Sequence, residues 1–237
     1  MSGIVGPNIV TDGLTFAVDA ANPDSYVSGS TIWKDQIANQ NNGTLTNGPI
    51  FDSDNGGSID FDGVDDYIDC GDNDNLSFGD GSTDSPFSIS AWIKIGQTTA
   101  QGIVTKYGSG SSTREYTFYT TGGKLRLLLW GNGTNNFATG TTTFATDTWY
   151  HVACTYDGRG GSTAYNGITL YINGIAESVT TSGGSYTAMS NTSQPVYLGK
   201  ENAKLIQGKI SNTHIYNRLL SSTEILHNYN ALKNRFI

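Results

Sequence analysis

The sequence predicts an all-β protein, a sandwich or a barrel, closed by one short helix. Three observations carry this. Segments that alternate apolar and polar residues recur at intervals of roughly 8–15 residues, with turn formers between them. Tight turns suit the composition, since 30 of the 237 residues are glycine. Charged residues make up only 14% of the chain and aromatic ones 11%, which supplies a core and argues against disorder.

Residues 1–12 contain Gly3, Gly6 and Pro7 and read as an arm or a first edge strand. LTFAVDA at 14–20 alternates and reads as a strand. Residues 22–49 are loop-rich, with Trp33 as an anchor. SIDFDG and DDYIDC read as strands flanking a turn at Asp62-Gly63. Residues 73–86 form a polar loop holding Leu76 and Phe78. FSISAWIKI at 87–95 places Phe87, Ile89, Ala91, Ile93 and Ile95 on one face, because side chains alternate along a strand. Further strands are expected at 102–107, 115–121, 123–131, 149–157, 168–174, 195–200 and 208–217. Asn173-Gly174 is a two-residue hairpin signal. Leu127, Leu128 and Leu129 are consecutive, so that strand needs cover on both faces, from an inner layer of the fold or from another subunit. Only residues 221–234 look helical. Ser221 and Glu224 have capping-box spacing, and Ile225, Tyr229 and Leu232 then share a face. No repeat or linker marks a second domain, so residues 13–237 read as one.

Net charge is −8, with 17 Asp and 4 Glu among the acidic residues. No basic stripe of the kind that nucleic acid requires is present. No apolar run nears the ~20 residues of a membrane helix, and no signal segment follows Met1. Cys70 and Cys154 are too few for a disulfide framework and read as buried free thiols.

Seven segments then appear in order: FDGVDDYIDC, PFSISAWIKI, GIVTKY, TWYHVACTYDG, LYINGI, VYLGK and IYNRLLSSTEI. Together they resemble the laminin-G-like branch of the concanavalin A-like lectin/glucanase superfamily, from about Gly13 onward. DGLTFAVDAANPDSY, NNGTLTNGP and NYNALKNRF look like laminin-G-like proteins of tailed bacteriophages. The resemblance implies a two-sheet antiparallel jelly roll. It also implies a place on a virion surface, for adhesion or for capsid or tail decoration, after synthesis in the host cytoplasm. The implied partners are virion proteins, a cell-surface polysaccharide and other copies of the chain, with no nucleic acid and no membrane insertion.

Relatives often hold calcium at the sandwich rim, and Ca2+ is the one candidate cofactor. Residues 59–74 contain seven Asp. Such crowding would repel unless a cation shared the charge, although Asp is also a common turn former. The candidate ligands are Asp62, Asp65, Asp66, Asp69, Asp72 and Asp74, with Asp19 from the first strand. Asp72-Asn73-Asp74 lacks the Gly and Glu of an EF-hand loop. Where many relatives carry an acidic pair in the last strand, this chain has Ser211-Asn212-Thr213.

For a glycan, aromatic platforms with few polar groups are the expected contacts. Tyr107, Trp130, Tyr165 and Tyr186 are the candidates, whereas Trp92 and Trp149 are assigned to packing. No catalytic residue is expected. The superfamily's glucanases carry a Glu-x-Asp-x-x-Glu strand, and none of Glu115, Glu177, Glu201 and Glu224 makes it. The three His lack H-E-x-x-H spacing, and His151 reads as structural.

Overall fold

A computed structural model describes residues 8–37 and 41–237. In chain order its first strands are β1 Leu14–Asp19, β2 Ile32–Trp33, β3 Gly43–Thr46, β4 Ile50–Asp52, β5 Ser58–Asp62, β6 Tyr67–Asp69 and β7 Phe87–Ile95. Next come β8 Gln101–Tyr107, β9 Arg114–Thr121, β10 Lys124–Gly131, β11 Thr134–Gly140 and β12 Trp149–Tyr156. The last are β13 Ile168–Ile172, β14 Ile175–Ala176, β15 Val179–Gly183, β16 Tyr197–Leu198, β17 Lys200–Glu201, β18 Lys204–Leu205 and β19 Gln207–Tyr216. One helix, α1 Ser222–Leu232, follows.

The smaller sheet runs β14-β13-β12-β7-β19-β5-β4, and β1 joins the far half of β19. The larger runs β15-β11-β10-β9-β8-β16-β6-β3-β2. All paired strands are antiparallel. The expected jelly-roll sandwich is therefore the fold, and the barrel is not.

Alternation builds the layer between the sheets. Phe87, Ile89, Ala91, Ile93 and Ile95 all enter it from β7, as their period of two requires. Tyr116 and Phe118 of β9 and Leu127 and Leu129 of β10 meet them from the larger sheet. Each fully buried apolar side chain contributes about 1.5–3 kcal/mol. Cys70 and Cys154 lie in this layer, unpaired.

Asn173 (φ 51°) and Gly174 (φ 79°) form the expected tight turn between β13 and β14. Both angles lie in the left-handed region that this turn needs. By contrast, β5 and β6 do not pair: β5 belongs to the smaller sheet and β6 to the larger. The Asp-rich turn between them carries the chain across the sandwich rim.

The outer face of the smaller sheet is covered. The Ser221 side chain accepts from the Glu224 N–H and the Glu224 carboxylate from the Ser221 N–H, which closes the capping box of α1. Ile225 of the helix packs onto Tyr216, Leu220, Ala153 and Tyr171 beneath it. Trp92 lies under Tyr229 and Phe236, buried outside the inter-sheet core. Residues 8–13 run over the same face, where the Val10 N–H donates to Asn228. Residues 1–7 of the expected arm lie outside the described residues. No described helix is long and apolar enough to cross a membrane.

Candidate functional site

The outer face of the larger sheet lacks such a helix. Register defines it. Phe137, Leu128, Thr117, Thr105, Tyr197, Asp69 and Thr44 are successive cross-strand partners from β11 to β3. Directly opposed residues point to one side. Leu127 and Leu129 point inward, so this row points out.

The Leu127–Leu129 run is thus covered in two ways. The inner layer takes Leu127 and Leu129, while Leu128 packs outside against Tyr107 and Tyr119. It is 9% exposed without a second layer over it.

The short hairpin β17–β18 crosses the middle of this face. Thr105 Oγ1 donates to the Lys200 carbonyl at 2.5 Å. Gly102 lets the Lys200 backbone lie against β8, where a Cβ would collide with it.

On one side of the hairpin lies an aromatic patch. Trp130 meets Tyr107 edge-on, with centroids 6.1 Å apart. The Arg114 guanidinium sits 4.7 Å from the Tyr107 centroid and 4.6 Å from that of Trp130. Further along β10, the Arg126 guanidinium lies 4.4 Å from the Phe137 centroid and 5.8 Å from that of Tyr119. Trp130, Phe137 and both arginines are half-buried and reach solvent. On the other side, Lys200 Nζ lies 3.6 Å from the Tyr67 centroid and 4.8 Å from that of Tyr197. Beyond them opens a polar cleft of about 440 Å³, lined by Asn41, Thr44, Thr46, Asp69, Asp72 and Asn73 among others. Stacking platforms beside hydroxyl, amide and carboxylate groups suit a sugar polymer.

The sequence-expected aromatics separate. Tyr107 and Trp130 come together on this face. Tyr165 is half-buried in the turn Ala164–Gly167, where its N–H donates to Asn136. Tyr186 is buried in the inter-sheet core, and its hydroxyl donates to Asp84 at 2.7 Å.

Asp84 is a hub that the sequence did not single out. It also accepts from the Tyr156 hydroxyl and the Met189 N–H. Burial raises its pKa, against those hydrogen bonds. Its donors lie 72, 102 and 105 residues away, so no local pattern announces it. Nor does local sequence mark Arg114. For Arg126 a signal existed: in KLRLLLW it shares parity with Leu128 and Trp130, and so shares their face.

The seven expected carboxylates also divide. Asp62, Asp65 and Asp66 converge, with one oxygen from each within 4.8 Å of the others. Asp62 accepts from the N–H groups of Val64 and Asp65, and those bonds lower its pKa. Asp66 is 4% exposed and accepts from the Asp62 N–H. Burial, followed by the charges of Asp62, Asp65 and Asp60, raises its pKa. The remaining four lie elsewhere. Asp69 accepts from the Gly71 N–H, Asp72 pairs with Lys106, and Asp74 accepts from Asn191. Asp19 pairs with Arg235 at 2.9 Å, and Arg235 also donates to Ser211.

Each glutamate has a local partner. Glu115 is buried against Lys106, Glu177 accepts from Thr142, Glu201 pairs with Lys204, and Glu224 holds the capping box and Arg218.

The sequence matches the Laminin_G_3 family profile, concanavalin A-like lectin/glucanases superfamily, over residues 62–226. No curated protein matches it. Among solved structures, the binding domain of Paraclostridial Mosquitocidal Protein 1 superposes with a TM-score of 0.69 at 18% identity, over 92% of this chain and 52% of that one. Trypanosoma rangeli sialidase gives 0.65 at 16% identity, over 96% and 34%. Domain 4 of AbnA, a GH43 extracellular arabinanase from Geobacillus stearothermophilus, solved with arabinotriose, gives 0.60 at 18% identity, over 91% and 98%. The chain spans about half of the first and a third of the second. Identities this low show the fold alone.

Proposed function

The chain belongs to the concanavalin A-like lectin/glucanases superfamily, and from that premise we propose that it is a carbohydrate-binding module without hydrolytic activity. The observation that carries this is the solvent-facing patch of the larger sheet, where Trp130 and Phe137 lie against the guanidinium groups of Arg114 and Arg126. Aromatic faces take the apolar side of a sugar ring, and the flanking amides and carboxylates take its hydroxyls. The likeness to an arabinanase domain solved with arabinotriose supports the reading. The absence of the superfamily's Glu-x-Asp-x-x-Glu strand, together with the local engagement of all four glutamates, supports binding over cleavage. A glycan array tests it: selective binding that Trp130→Ala removes is expected, and binding to nothing overturns it.

The wider reading is a surface protein of a tailed-phage virion, capsid or tail, displaying this module for adhesion. The segments at 12–26, 41–49 and 228–236 support it by resemblance. Immunolabelling of purified particles tests it, and protein found only free in lysate overturns it. Particle-bound protein that retains no glycan would instead be a purely structural decoration subunit.

We place calcium at Asp62, Asp65 and Asp66, whose hard oxygen donors suit it. Bound there, the ion would offset the burial and the neighbouring charges that raise the Asp66 pKa, and fix the turn between the two sheets.

A further inference from the structure

We propose that the carbohydrate bound by the larger sheet is acidic, and that Arg114 and Arg126 read its carboxylate or sulfate groups. This rests on the carbohydrate-binding reading above.

The five arginines divide into two sets. Arg159 pairs with Asp157, Arg218 with Asp12 and Glu224, and Arg235 with Asp19. Among the described residues, Arg114 and Arg126 have no carboxylate within ion-pair distance. Their polar partners are neutral. Arg114 donates to the carbonyls of Gly108 and Ser109, and Arg126 to the hydroxyls of Thr139 and Tyr119. In a chain with eight more acidic than basic residues, a charge-balanced surface would have given these two a carboxylate each.

Both lie on the same sheet face, and each guanidinium lies 4.4–5.8 Å from the centroids of two aromatic rings. These contacts and two hydrogen bonds apiece hold each guanidinium in place, so little side-chain freedom remains to be lost on binding. The unused N–H groups then match the paired oxygens of a carboxylate or sulfate. Arg126 and Trp130, which holds Arg114, are four residues apart on β10, about 13 Å of strand. That spacing exceeds one sugar ring, so a ligand that meets both arginines spans more than one sugar. Lys200 adds positive charge to the same face, whereas Lys204, beside Tyr119, is paired with Glu201.

Affinity electrophoresis of the whole chain through gels holding polygalacturonate, dextran sulfate, dextran or arabinan tests this. Retention by one or both acidic polymers is expected, and the two arms separate carboxylate from sulfate recognition. Arg114→Gln and Arg126→Gln should each weaken retention about tenfold, the size of a lost charge-assisted contact. Arg114→Lys and Arg126→Lys keep the charge but lose the planar fork, so they should weaken it too while melting like the parent. Retention by the neutral polymers alone, or unaltered retention of the variants, overturns the inference and leaves carbohydrate binding standing. Equal retention by polyglutamate, which has no sugar, also overturns it. Retention by none of the polysaccharides defeats both readings.

Discussion

The ring of Phe236 lies on that of Trp92, 4.1 Å between centroids and 16° between planes. This contact, with Phe236 against Trp149 at 4.8 Å, seals the outer face of the smaller sheet beyond α1. It leaves the larger sheet as the face open to a ligand. Phe236→Ala removes both stacks from a half-buried site and is expected to cost about 2 kcal/mol. Tryptophan emission should shift to the red as Trp92 becomes wetter, and urea denaturation should give the loss. An unchanged midpoint would show that the segment after α1 does not hold this face.

Lys106 and Glu115 form a buried ion pair at 3.1 Å, both side chains wholly removed from solvent. Lys106 also donates to the carbonyls of Thr192 and Gln194 and to Asp72. It thereby ties two rim loops to β8. Burial raises the Glu115 pKa, while the Lys106 charge and the Thr192 bonds lower it. Lys106→Met would leave Glu115 buried without its cation, an expected loss of about 3 kcal/mol. Glu115→Gln keeps an acceptor for Thr192 and should cost less, about 1–2 kcal/mol. Equal losses in the two variants would contradict this account.

Local chemistry made much of the fold legible. The alternation of residues 87–95, the capping box of Ser221 and Glu224, and the Asn173-Gly174 turn each act within a few residues, and each stands where the sequence placed it. Sheet membership was not legible, because it is set between residues far apart in sequence. Asp62 and Tyr67 are close in sequence but begin and end a crossing between sheets. Asp19 meets Arg235 across 216 residues, and Tyr186 meets Asp84 across 102. The same limit hid the site. Tyr107 and Trp130 could be proposed one by one, but their shared guanidinium appears only once β8, β9 and β10 are side by side.

Calcium binding at Asp62, Asp65 and Asp66 should raise the melting temperature. Free ion at a hundred times its Kd adds about 2.7 kcal/mol. Asp66→Asn is the informative variant. The Asp66 oxygen that accepts from the Asp62 N–H can be replaced by an amide oxygen, and a repelled charge is removed. Without calcium this variant should melt at or above the parent temperature, and it should lose the calcium-dependent rise. Scanning calorimetry with calcium and then chelator reads both. No shift in the parent would remove the ion from this site.

Acid should weaken the fold through two buried histidines on the outer face of the smaller sheet. Burial lowers the pKa of His214 to about 4, with Asp19 opposing the shift and Arg235 adding to it. Burial and the neighbouring His214 lower that of His151 to about 3. Both folded values lie below the ordinary 6.5. The unfolded chain therefore binds protons that the folded chain refuses, and stability falls as pH drops below 6.5 towards 4. Each histidine contributes a slope of up to about 1.4 kcal/mol per pH unit in that interval. Glu224 acts in a lower window. Arg218 and the Ser221 N–H bring its pKa down to about 2, so its contribution is lost only as pH falls from 4.5 towards that value. Urea midpoints at pH 7, 5.5 and 4.5 should decline, and His214→Gln should flatten the decline between the first two. Equal midpoints at pH 7 and 5.5 would mean that these imidazoles protonate freely in the folded protein, and that Trp92, Tyr229 and Phe236 do not seal the face above them.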